Sequence, residues 1–154
     1  MSLGQEASKQ NPALARFSAL IGMWNTAGTH PMIPNTVFHG RTSFEWIEGG
    51  AFLMMRSEID EPGIPSGVAI IGSEDKTGEF SMLYFDERGV SRRYETDMND
   101  LVWTWSRMTP EFSQRFVCTL TADKRTMVGK GTMSKDGAKW EGDLELTFAR
   151  ADAP

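Results

Sequence analysis

From residue 22 onward a turn signal recurs roughly every 8–12 residues, and the stretches between are short runs rich in aromatic and β-branched side chains. A chain written this way pairs each strand with its neighbour through tight turns. Ten strands are expected, over residues 22–30, 36–47, 51–60, 66–74, 79–86, 90–97, 101–108, 112–121, 125–134 and 138–150. Laid flat, they would leave two unpaired edges, and closing the sheet on itself removes both. The predicted fold is therefore all-β, a closed up-and-down antiparallel barrel of about ten strands, with a β-sandwich as the alternative. The one helix signal comes first. Asn11 can cap, Pro12 suits the first helical position, and Leu14, Phe17, Leu20 and Ile21 keep near-helical spacing, which predicts a short helix at the closed end. Residues 11–150 are expected to form one domain, with a flexible leader over 1–10 and a tail over 151–154.

Composition narrows the partners. The 154 residues carry 16 basic and 21 acidic side chains, a formal charge of −5, with no basic run. Nucleic acid and anionic membrane both reward clustered Lys and Arg, so neither is expected as a partner. A single cysteine, Cys118, cannot close an internal disulfide, and no signal-like apolar stretch opens the chain, which predicts a cytoplasmic protein. Cys118 alternates with Phe116 and Leu120 and reads as a buried apolar thiol. No cluster of His, Cys or carboxylate has metal-ligand spacing.

Turn chemistry sets strand register, and register decides which side chains share a face. Gly49-Gly50 sets Trp46 opposite Leu53, Phe44 opposite Met55 and Arg41 opposite Glu58. Asp136-Gly137 sets Met133 opposite Trp140, Gly129 opposite Leu144 and Lys130 opposite Asp143. Three-residue loops ending at Gly78 and Gly89, and a two-residue turn at Asn99-Asp100, then put Val68, Ile70, Phe80, Met82, Tyr84, Val90, Tyr94, Trp103 and Trp105 on one face. The expected lumen is lined by Phe38, Phe44, Met55, Met82, Tyr94, Trp103, Trp105, Phe116 and Leu144. Gly129-Lys130-Gly131-Thr132 has the look of a phosphate loop, but Lys124 stands where that motif needs its first glycine, so it reads as strand.

Gly22-Met23-Trp24, after a short helix and at the head of a strand, resembles the Gly-x-Trp signature of the calycin superfamily. Arg150 on the last strand resembles the basic residue that those barrels place over the tryptophan. Phe17 to Gly28, Phe44 to Leu53, and Ile70-Ile71-Gly72 through Tyr84-Phe85-Asp86 are similar to a bacterial family of uncharacterised lipocalin-like proteins, a domain of unknown function. The resemblance covers about nine tenths of the chain and implies a barrel related to fatty-acid-binding proteins and nitrobindins. It also implies haem as an alternative cofactor. The nitrobindin haem ligand is a histidine late in the chain, however, and the last strands here contain none, so that reading rests on His30 alone; otherwise no cofactor is expected.

One polar group stands out on the aromatic face. Tyr84 is expected opposite Arg92, Arg92 opposite Arg107, and Asp86 one step from both, all at the end away from Trp24 and Arg150. That end should be the open mouth. His30 and Trp140 reach the same rim, beneath loops 31–36 and 61–67, whose prolines and glycines suit a lid, while His39 should point outward. The candidate ligand-binding residues are therefore His30, Tyr84, Asp86, Arg92, Tyr94, Trp103, Trp105, Arg107 and Trp140. The first reading is a binding protein for a small apolar or aromatic molecule with an acidic group. The second is an enzyme using His30 or Asp86 as base and Arg92 or Tyr84 to stabilise negative charge, although no motif demands catalysis. The third is an interaction role, binding a partner or a second copy as a homodimer, through Ile47, Phe52 and Met54 on the outer wall.

Overall fold

The computed structural model describes residues 10–151. Except for Gln10 and Ala151, the expected leader and tail lie outside these residues. Ten antiparallel strands close into a barrel: β1 (Gly22–Thr29), β2 (Phe38–Ile47), β3 (Phe52–Ile59), β4 (Gly67–Ser73), β5 (Phe80–Asp86), β6 (Ser91–Asn99), β7 (Val102–Arg107), β8 (Ser113–Leu120), β9 (Thr126–Ser134) and β10 (Glu141–Arg150). Each strand pairs with its sequence neighbours, and β10 returns to β1. No helix among the described residues is long and apolar enough to cross a membrane.

The N-terminal helix is a 3-10 helix, Pro12–Leu20, with Asn11 Oδ1 accepting from the Ala13 amide at 3.1 Å. Three residues per turn put Leu14, Phe17 and Leu20 on one stripe, and all three are fully buried. The stripe plugs the closed end, with the Phe17 ring 5.1 Å from that of Phe80, edge on. Arg16 lies over Phe80 and bonds Asp97 at 2.9 Å.

Trp24 pairs with Arg150 across the β1–β10 seam. The guanidinium carbon lies 3.9 Å from the indole centroid, and its nitrogens donate to the carbonyls of Ala19, Ile21 and Lys124. The indole N–H donates to the Leu20 carbonyl at 2.9 Å. One arginine thus fastens the helix, the β1–β10 seam and the turn before β9 together.

Register follows expectation at the Gly49-Gly50 hairpin, where Trp46 pairs with Leu53, Phe44 with Met55 and Arg41 with Glu58. Phe52 and Met54 accordingly face outward. Three expectations are corrected. The β4–β5 connection carries an extra residue, Asp75 to Gly78 being closed by the Glu74 amide to the Glu79 carbonyl. Ser73 therefore pairs with Phe80, so Ala69 and Ile71 face the lumen while Val68 and Ile70 face outward. The β6–β7 turn is Asp100-Leu101, with Asp100 at φ 54°, and Asn99 pairs with Val102. Finally, the β9–β10 connection is one residue longer than expected, so Met133 pairs with Glu141, and a β-bulge between Gly142 and Glu145 shifts the register by one more, so Lys130 pairs with Glu145 and Gly129 with Leu146. Leu146, not Leu144, packs on the core.

Candidate functional site

An aromatic chain climbs from the core to the mouth. Phe44 meets Trp103 (centroids 5.6 Å apart), Trp103 meets Phe116 (6.4 Å), Phe116 stacks on Trp105 (4.9 Å), Trp105 meets Tyr94 (4.7 Å) and Tyr94 meets Tyr84 (6.2 Å). Its lower members are packed shut: Phe44, Trp103 and Phe116 retain only 1% of their surface, and Met82 and Tyr94 around them 2–3%. A water-sized void beside them would show as exposed surface, so the deep lumen is occupied by the protein's own side chains. Trp103 lies in this packed layer, its indole N–H satisfied by Thr96 Oγ1 at 3.0 Å. Trp105 and Tyr84, higher up, are only half-buried.

Two polar constellations sit above that floor. In the first, the Asp86 carboxylate accepts from Tyr84 Oη (2.8 Å), from the Arg88 amide (2.9 Å) and from the Arg88 guanidinium at both oxygens (2.7 and 3.1 Å). The turn after β5 returns Arg88 onto Asp86, two residues back. This guanidinium, before the other hydrogen bonds, holds the Asp86 carboxyl down at about 2. Burial, reinforced by the Asp86 carboxylate, pushes the Tyr84 phenol above its ordinary range. Asp86 is therefore neutralised by Arg88, and its lowered basicity makes it a poor proton acceptor.

The second constellation is a relay across the mouth. Tyr94 Oη donates to Gln114 Oε1 at 2.7 Å, and Arg92 reaches the same oxygen at 3.4 Å. Gln114 Nε2 donates to Asp143 Oδ2 at 3.2 Å, and Asp143 Oδ1 lies 3.0 Å from His30 Nε2. The Met32 amide donates to His30 Nδ1 at 3.1 Å, so the hydrogen-bond pattern assigns the imidazole proton to Nε2. Both nitrogens of His30 are thereby engaged. In this arrangement neither can accept a substrate proton, and neither can ligate an iron, while the space below is filled by Trp103 and Phe116. The residues present do not fit a haem.

Arg92 and Arg107 complete the mouth. The corrected β6–β7 register, extended one step past Glu95↔Ser106, sets Tyr94 rather than Arg92 opposite Arg107. Gln114 is Arg107's partner on β8. The two guanidinium groups thus flank Tyr94. Burial raises its phenol, while Arg92 and Arg107 pull the other way. Arg92 also lies 5.3 Å from the Phe112 ring centroid. Among the described residues neither arginine forms an ion pair with a carboxylate.

The structure therefore brings together His30, Tyr84, Asp86, Arg92, Tyr94, Trp105 and Arg107, with Trp103 beneath them. Trp140 does not join them: its ring lies 3.9 Å from the guanidinium carbon of Arg115, an exposed residue whose β8 neighbours Gln114 and Phe116 face inward. Gln114, Asp143 and Arg88 were not anticipated. Asp143 was expected on the outer wall opposite Lys130, and the bulge turns it inward. Its signal was Gly142, since a glycine within a strand often marks a bulge.

Beside the mouth, loop 31–36 overhangs a cleft of about 520 Å³ lined by Thr29 to Pro31 and Ile33 to Val37 together with Gly131, Gly142, Asp143 and Glu145. The His30–Asp143 bond fastens the loop to the barrel. Ile33 lies 3.3 Å from where a Cβ on Gly63 would sit, so the two expected lid loops touch.

No protein-family model matches the chain, and no curated protein matches it. Among solved structures it is similar to Rv2717c from M. tuberculosis, with a TM-score of 0.66 over 93% of this chain and 99% of that one, at 16% sequence identity. The likeness is one of fold. It fits a closed antiparallel barrel and says nothing further about chemistry.

Proposed function

We propose that the protein is a lipocalin-like binder of a small molecule with an anionic group. The carboxylate, sulfonate or phosphate would sit between Arg92 and Arg107, and the apolar body would lie on Tyr94 and Trp105 and under loop 31–36. The observation that carries this reading is the pair of inward arginines with no carboxylate partner. A guanidinium does not shed its proton, so two of them around one buried phenol call for a negative charge. Asp86 is matched by Arg88, and Asp143 offers one negative charge against the two guanidinium groups, so the mouth keeps an excess of positive charge. Because the deep lumen is filled, the ligand is held near the rim, where Trp105 and Tyr84 are only half-buried. The resemblance to lipocalin-like proteins supports the same reading.

The test is a paired titration with 8-anilinonaphthalene-1-sulfonate and the uncharged N-phenyl-1-naphthylamine, followed by probe fluorescence. Arg92→Ala should weaken the sulfonate by about 1.5–3 kcal/mol, roughly 10- to 150-fold, while leaving the neutral probe within a factor of two. Equal losses for both probes would make Arg92 a packing residue and overturn the anion site.

A further inference from the structure

The outer wall of the barrel carries a pattern that the mouth does not use. The registers of β2 to β6 align Glu45, Met54, Ile70, Leu83 and Arg93 in one row across five strands, all facing outward. The row reads acidic, apolar, apolar, apolar, basic. The row above it contains Arg56, Val68 and Phe85, and the row below contains Ile47 and Phe52. Phe52, Leu83 and Phe85 keep 43, 44 and 39% of their surface exposed, and the N-terminal helix does not cover them. Among the described residues, neither Glu45 nor Arg93 has an ion-pair partner.

We infer that this face binds a second copy of the chain about a two-fold axis lying in the interface along β4. Such an axis reverses each row onto itself in the partner. Ile70 meets its own equivalent, Met54 meets the partner's Leu83, and Glu45 meets the partner's Arg93, twice over by symmetry. In the next row Arg56 meets the ring of the partner's Phe85, a cation–π pair. Charge complementarity thus selects a second copy as occupant: a uniformly apolar partner would leave both end charges unmatched. Barrel walls are convex, so the gap between two of them widens away from β4, and the long Glu45 and Arg93 side chains are the ones able to span it. With strands ~4.8 Å apart and same-face rows ~6.8 Å apart, the patch covers on the order of 500 Å² per copy. This is below the ~800 Å² per partner of a standard stable interface, which puts the dimer in the weak, concentration-dependent range.

The test is sedimentation equilibrium of the full chain up to about 1 mM, on the unaltered protein and four variants, with far-UV circular dichroism confirming that each variant is folded. A concentration-dependent dimer is expected, and Leu83→Glu should abolish it. Glu45→Arg and Arg93→Glu should each weaken it about tenfold or more, because each places two like-charge pairs across the axis. The double reversal Glu45→Arg with Arg93→Glu restores opposite charges and should return association to within about threefold of the original. A monomer at every concentration, a dimer indifferent to Leu83→Glu, or a double reversal no stronger than the single ones would overturn the proposal. So would a monomer that instead sediments with phosphatidylcholine vesicles through Phe52 and Leu83, which would assign the face to lipid.

Discussion

Asp86→Asn isolates the cost of ordering the barrel mouth. The Asp86 side chain is fully buried and accepts from Tyr84 and from three nitrogens of Arg88. Its carboxyl is lowered from an ordinary 3.8 to about 2. For an acid whose pKa is lower in the folded state, the stabilisation is fully present above the unfolded pKa and is lost as pH falls through the folded one. At 1.36 kcal/mol per pH unit, the shift corresponds to about 2 kcal/mol, present above about pH 4 and largely gone near pH 2. Half of the Arg88 side chain faces solvent, which holds the value near the lower end of the arithmetic. Urea unfolding from pH 7 to pH 2 should find Asp86→Asn about 2 kcal/mol less stable at neutral pH, equivalent to roughly 4–8 °C in Tm. The gap should close as the pH approaches 2. Other carboxylates, Asp123 and Asp136 among them, are also lowered by local hydrogen bonds, so the wild type alone cannot isolate Asp86; the difference curve does. A gap that stays constant down to pH 2 would refute the assignment of the ion pair as its source.

Trp24→Ala removes a fully buried indole beneath Arg150 and should cost on the order of 3–5 kcal/mol by chemical denaturation. A loss under about 1 kcal/mol would mean that the closed end does not depend on the seam described. Gly129→Ala would place a Cβ 2.1 Å from the Phe116 ring, so it should destabilise by about 1–3 kcal/mol and disturb the Trp105 stack, visible in tryptophan fluorescence. Unchanged stability would show that β9 can move away from Phe116. Cys118 is buried, and burial pushes its thiol up to about 12, so native protein at neutral pH should resist iodoacetamide until urea unfolds it. Rapid labelling of the native protein would contradict its placement.

The strand pattern was legible because pairing through short turns leaves little choice of partner, and the Gly49-Gly50 hairpin shows how far that logic reaches. Where it failed, a residue or two in a turn was responsible. The extra residue before Gly78 exchanged Val68 and Ile70 for Ala69 and Ile71 on the inner face, because side chains alternate with period two. The slip at Asn99-Asp100 was two residues, so it preserved the inward direction of Arg92 and Arg107 but moved Tyr94 between them. The bulge after Gly142 had the larger consequence, since it brought Asp143 into the mouth and completed the link from His30 to Gln114. Arg88 was not anticipated because a turn residue returning onto the strand it leaves has no periodic signature. Trp140 was misplaced by the same one-residue error that placed Met133 opposite it.

The most direct measurement is a crystal structure of the protein grown with 8-anilinonaphthalene-1-sulfonate. The account predicts sulfonate oxygens about 2.7–2.9 Å from the guanidinium nitrogens of both Arg92 and Arg107, with the rings resting above Trp105 and below loop 31–36. A sulfonate held elsewhere, with the two arginines turned away from Tyr94 into solvent, would contradict it.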